Sequence, residues 1–130
     1  MLVAGGSGVV PLRAMLRHRI ARESTVPLRM LYSARSQHDL IYRAELAAAA
    51  DRPGVEIHIT LTREQPDGWG GYVRRVDREL LAEVAWPPAE RPLIYVCGPT
   101  GFVEAAADAF VAIGHEPRRI RTERFGPTGT

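Results

Sequence analysis

Apolar positions along the chain follow two rhythms. Met1 to Ala4, Leu28 to Ser33 and Leu93 to Cys97 are short, nearly continuous apolar runs, the pattern of strands buried on both faces. Val55 to Thr62 alternates, with apolar residues at 55, 57, 59 and 61, and also predicts a strand. Arg118 to Arg124 predicts a last, short one. Between them the spacing turns helical. Leu12, Met15, Leu16 and Ile20 share one face of a helix over Pro11 to Arg22. A second helix is predicted over Ser36 to Ala50, with Ser36 as N-cap and Asp39 in the first turn. Val76, Leu80, Leu81 and Val84 predict a third over Val73 to Ala85, and Phe102 to Ile113 a fourth, ending at Gly114. Val26-Pro27, Pro53-Gly54 and Pro87-Pro88 supply breaks, and Arg63 to Gly71 reads as a loop.

Strand and helix alternate throughout, which predicts an α/β fold: a three-layer, Rossmann-like open parallel sheet of about five strands with helices on both faces. Residues 1–126 form the expected domain, followed by a short tail at 127–130. Strands commonly run about 5–6 residues, so the first strand, ending at Ala4, is expected to be truncated.

Composition narrows the function classes. All 17 basic residues are arginine, which excludes lysine Schiff-base chemistry and a Walker-type phosphate loop. A net charge of +2 does not argue for nucleic acid, and no apolar run approaches the roughly 20 residues of a membrane span. Cys97 is the single cysteine, so no internal disulfide forms and a cytoplasmic setting is expected. The four histidines share no ligand spacing, and no metal site is expected.

Ligands of open parallel sheets bind beyond the carboxyl ends of the strands. Four segments fall there: the turn around Gly5, Gly6, Ser7 and Gly8; Ser33-Ala34-Arg35; Thr62-Arg63; and Cys97-Gly98-Pro99. Glycines followed by Pro11 at a helix start suit an anion held on free backbone N–H groups. The run Gly6-x-Gly8-x-x-Pro11 departs from the dinucleotide fingerprint at its third glycine. The second strand ends in Arg35, where that fingerprint expects a carboxylate for the ribose hydroxyls. Thr62 and Arg63 pair a hydroxyl with a guanidinium, a combination suited to a phosphate or to an ordinary solvated strand end. Cys97 reads equally as a small buried residue or as part of a site. The arginines at 118, 119, 121 and 124 form a solvated face or a surface that steers an acidic partner.

In order, GGSGVVPLRAML, YSAR, LTREQPDGWGGY, YVCGPTGFVEAAADAF and ERFG resemble the NAD(P)-binding half of the ferredoxin–NADP reductase-like flavoenzymes. The resemblance covers residues 1–126. It implies a pyrophosphate on Gly6 to Pro11, Arg35 near the phosphates, and Thr62 with Arg63 near a ribose phosphate. Tyr72 is implied beside the adenosine, Cys97 and Gly98 beside the nicotinamide, and Phe125 over a flavin ring with Glu123 as polar partner. The lysine of NADP-specific members is absent, and the TREQPDGW stretch also resembles NADH-using members. The expected cofactor is NADPH, or NADH, with FAD held by a separate domain or partner subunit, because no flavin-binding signature occurs in this chain. An acidic electron-transfer protein such as a ferredoxin, or a haem protein, would receive the electrons. The alternative is a non-catalytic dinucleotide-binding module.

Overall fold

The computed structural model describes residues 1–126; the tail expected at 127–130 lies outside the described residues. Five parallel strands form one sheet in the order β3-β2-β1-β4-β5: β1 (Leu2–Gly5), β2 (Leu28–Ala34), β3 (Val55–Leu61), β4 (Ile94–Pro99) and β5 (Ile120–Phe125). The order reverses at β1, whose partners are β2 on one side and β4 on the other. That reversal opens a crevice at the carboxyl ends, the place where open α/β sheets receive ligands.

Helices α1 (Val9–Ala21) and α2 (Arg43–Ala50) cover one face, where Leu12, Leu16 and Leu46 pack on Ala4, Tyr32 and Cys97. Helices α3 (Arg78–Val84) and α4 (Thr100–Ala112) cover the other, where Leu80, Leu81 and Phe110 pack on Val3, Leu31 and Val96. Adjacent strand residues thus serve opposite faces, as the period of two requires. The start of β1 is docked: the Met1 amine donates to the Leu93 carbonyl at 2.9 Å, and the Tyr95 amide donates to the Met1 carbonyl at 2.9 Å.

Two predicted helices begin later than their patterns suggested. Residues 37–39 form only a 3-10 turn, Leu40 is extended, and Tyr42 takes φ +60° before α2 starts at Arg43. Ser36 does not cap this helix; its hydroxyl donates to the Asp39 carboxylate at 3.0 Å. The left-handed Tyr42 is held by its neighbours. Arg13 lies 4.3 Å above its ring and is ion-paired to Glu45 at 2.6 Å. Similarly, the segment from 73 stays irregular until Asp77, which caps α3 by accepting from the Leu80 amide at 2.9 Å. The strands β4 and β5 each extend past their predicted ends, to Pro99 and Phe125.

Candidate dinucleotide cleft

At the carboxyl edge, Gly5 leads from β1 into a 3-10 turn over Gly6–Gly8, and α1 follows directly. Gly6 has φ +55°, a conformation that costs a residue with a Cβ about 1–2 kcal/mol. Pro11 stands in the first turn of α1, where its missing N–H leaves no bond unmade. Gly8 has a different task. It is buried, and a Cβ there would collide with the Cys97 carbonyl, so its lack of a side chain seats α1 against β4. Gly98 likewise lets β4 close on β1: a Cβ would stand 3.1 Å from the Gly5 carbonyl oxygen.

The second and third strands stay joined beyond their ends. The Thr62 amide donates to the Ala34 carbonyl at 2.9 Å, and the Arg63 and Glu64 amides both donate to the Arg35 carbonyl, at 2.9 and 3.0 Å. Arg35 and Arg63 are therefore neighbours at the crevice. The chain then loops out, and Tyr72 returns to pair beside β3: its amide donates to Ile59 and its carbonyl accepts from Leu61, both at 3.0 Å. The Trp69 indole N–H donates to the same Tyr72 carbonyl at 3.0 Å and pins the loop. Two residues on, the buried Thr60 hydroxyl donates to the Arg74 carbonyl and accepts from the Arg74 amide at 3.2 Å. Arg74 then turns outward to Asp77 and Glu79, at 2.9 and 3.1 Å. Arg75 turns into the crevice.

Two adjoining cavities result. One, about 420 Å³, is lined by Gly5, Gly6, Ser7, Tyr32, Pro99 and the Asp39–Ile41 wall, among others. The second, about 360 Å³, is lined by Arg63, Arg75, Val76, Gly101 and Ala105. Ser33, Arg35, Thr62 and Phe102 line both. No carboxylate lines the second cavity, and among the described residues Arg35, Arg63 and Arg75 take part in no ion pair. Three exposed arginines thus border one space, and none of them is ion-paired among the described residues. Buried tyrosine Tyr32 supports the wall of the first cavity, its hydroxyl accepting from the Ile41 amide at 3.2 Å.

The residues singled out in the sequence divide into groups. Gly5, Gly6, Ser7, Ser33, Arg35, Thr62, Arg63 and Pro99 line one or both cavities. Gly8, Gly98 and Cys97 form the packed layer beneath. Cys97 is buried, and burial first and Glu123 second push its thiol pKa up, which keeps it a neutral thiol. Glu123 and Phe125 stand beside Cys97 and Pro99 on β5, both exposed. Tyr72 lines neither cavity; its ring lies 6.2 Å from that of His58, near Glu83, on the outer side of β3. Asp39, Ile41, Arg75 and Phe102 are among the lining residues that were not singled out as site residues. Asp39 lines the glycine cavity together with Arg35 and is absent from the walls of the cavity that Arg63 and Arg75 line.

A glycine turn at a helix start, a switch point in a parallel sheet and an arginine-lined cavity at the same edge define a dinucleotide-binding α/β domain. The model of the oxidoreductase NAD-binding domain family matches residues 2–108, and the chain belongs to that family. It is 32% identical over 130 residues to the glycine betaine monooxygenase reductase subunit of Pseudomonas aeruginosa, covering 98% of this chain and 35% of that protein. Against ferredoxin–NADP reductase B of Sorangium cellulosum it is 35% identical over 132 residues, covering 96% and 53%. A solved FAD/NAD-binding domain of nitric oxide dioxygenase from Vibrio cholerae superposes with a TM-score of 0.85 at 26% identity, over 97% of this chain and 50% of that one. The chain thus corresponds to the NAD-binding part of these reductase relatives, and it spans about a third to a half of their length. Among the described residues no helix is long and apolar enough to cross a membrane.

Proposed function

We propose that this domain binds NADPH across the carboxyl edge of its sheet and presents the nicotinamide to a flavin held by another domain or subunit. The observation that carries the NADPH reading is the cavity of Arg35, Arg63 and Arg75 with no carboxylate on its walls. A ribose phosphate there gains several charge-assisted hydrogen bonds, with Thr62 adding a hydroxyl. The pyrophosphate lies on the turn of Gly5, Gly6 and Ser7, where the free N–H groups and dipole of α1 favour negative charge. The nicotinamide end extends over Gly98 and Pro99 above the Cys97 layer. Phe125 and Glu123, one strand further, border the side from which a flavin approaches. Bound NAD(P)H supplies a hydride and a flavin passes its electrons on singly; the protein's part is to position them.

Among its relatives are a monooxygenase reductase and a ferredoxin reductase, which supports an iron–sulfur or haem acceptor. The exposed arginines of the β5 edge favour an acidic one. The lone buried thiol is compatible with the reducing cytoplasm. The test is NADPH-dependent dye reduction by the purified chain with and without added FAD. Reduction that requires FAD supports the reading. Dinucleotide binding without reduction under any flavin supports a binding module.

A further inference from the structure

Among the described residues, three that are not glycine take a positive φ: Glu23, Tyr42 and Arg91. Glu23 and Arg91 are exposed, at +51° and +49°. Tyr42, at +60°, is half-buried and directly follows Ile41, which lines the glycine cavity with Asp39. A large side chain in this region is an outlier that its surroundings must hold in place. No side-chain hydrogen bond caps α2 at Tyr42. What holds it is Arg13. The guanidinium lies 4.3 Å above the Tyr42 ring, and its Nε meets Glu45, in the first turn of α2, at 2.6 Å. Arg13 belongs to α1, the helix that follows directly on the glycine turn. One side chain thus joins the helix at the floor of the cavity to the end of its wall. The Tyr32 hydroxyl, accepting from the Ile41 amide, supports the same wall from β2.

We propose that Arg13 and Tyr42 form a latch that sets the width of the glycine cavity, which makes both of them positioning residues for the part of the dinucleotide bound there. This rests on the dinucleotide reading above. Neither side chain lines the cavity, so the latch acts through the Asp39–Ile41 wall and not by touching the ligand. A wall already held in place loses less conformational freedom when the ligand binds. Arg63 and Arg75 do not line this cavity, so the latch favours a phosphorylated and an unphosphorylated dinucleotide equally.

Calorimetric titration of the full 130-residue chain with NAD+ and with NADP+ tests the latch. Arg13→Met keeps an apolar stem and leaves Glu45 its second ion pair, with Arg17 at 3.2 Å. It is expected to weaken both dinucleotides about fivefold and to keep their ratio within about twofold of the wild type. Tyr42→Phe keeps the ring under the guanidinium and is expected to bind both as the wild type does. Tyr42→Gly relieves the backbone but removes the ring, and a loss of the same size as for Arg13→Met is expected. The double variant Arg13→Met/Tyr42→Gly should lose no more than either single one, because the two side chains act as a unit. If Arg13→Met fails to fold by circular dichroism, Arg13→Lys carries the test. It keeps the charge without the planar stack, and an equal loss of about two- to threefold for both dinucleotides is expected. Full affinity in the Arg13 variant, a loss confined to NADP+, or losses that add in the double variant overturn the proposal. A wild-type chain that binds neither dinucleotide overturns the dinucleotide reading and this proposal with it.

Discussion

The buried hydroxyl of Thr60 donates to the carbonyl of Arg74 and accepts from the amide of the same residue. One side chain on β3 thus satisfies both backbone groups of a residue in an irregular segment, and so decides which of two consecutive arginines faces the cleft. Thr60→Val keeps the shape and removes the hydroxyl, leaving both part-buried groups without that partner at a cost of about 1–3 kcal/mol. The expected result is a lower denaturation midpoint together with a selective loss of NADPH affinity. A variant that is destabilised but binds NADPH normally contradicts the clamp.

Arg63 and Arg75 are the most direct candidates for a phosphate on the adenosine ribose. Removing one charge-assisted partner costs about 1.5–3 kcal/mol, or roughly 10- to 100-fold in affinity. Arg63→Ala and Arg75→Ala are therefore expected to weaken NADPH by that factor and leave NADH nearly unchanged. Arg74→Ala, which removes the partner of Asp77 and Glu79, should leave the ratio of the two affinities intact. Equal losses for both cofactors would remove Arg63 or Arg75 from the ribose phosphate.

The glycines of the first turn should differ sharply in tolerance. Gly6→Ala meets no atom within 4 Å and suffers only the strain of a positive φ, about 1–2 kcal/mol. Gly8→Ala drives a methyl group into the backbone carbonyl of Cys97, which cannot swing aside as a side chain would. Overpacking of this kind costs about 1–3 kcal/mol or more and lifts α1 off β4. Thermal melts should rank Gly8→Ala well below Gly6→Ala; the reverse order would contradict the seating of α1 described here.

Two buried bases set the acid side of stability. Burial first and Arg29 second lower the Met1 amine from 8.0 to about 6. The unfolded chain therefore binds more protons between those values, and stability falls by about 2–3 kcal/mol as pH drops from 8 to 6. His115 is buried with its Nε2 unpartnered and its ring edge-on to Phe110 at 5.3 Å. Burial lowers its pKa below 6.5, so its contribution is intact above 6.5 and is lost as pH falls through the folded value. Denaturant titrations across this range should show both losses. Acetylating the amine should abolish the first, and His115→Gln the second.

Much of this architecture was legible because its signals are local. Apolar runs marked the strands, and the glycine turn and Cys97-Gly98-Pro99 fell at strand ends that the βα alternation aligns on one edge. What escaped depends on contacts distant in sequence. The left-handed Tyr42 is held by Arg13 from another helix, so the helix predicted from Ser36 breaks there for reasons no local pattern carries. Arg74 and Arg75 look alike in sequence, and only Thr60, 14 residues upstream of Arg74, distinguishes them. Phe102 reads as one more apolar residue of an amphipathic helix until two glycines are seen to make room for its ring. Tyr72 also depends on distant partners: its backbone pairs with β3, which sets its side chain beside His58.

The central claim is that three arginines at the carboxyl edge, none of them ion-paired among the described residues, make this a domain for the phosphorylated dinucleotide. Its most direct test is a pair of calorimetric titrations of the 130-residue chain, with NADP+ and with NAD+, at low salt. The account predicts NADP+ binding at least about tenfold tighter, with the difference shrinking as salt rises. Equal affinity for the two, or a preference for NAD+, would contradict it.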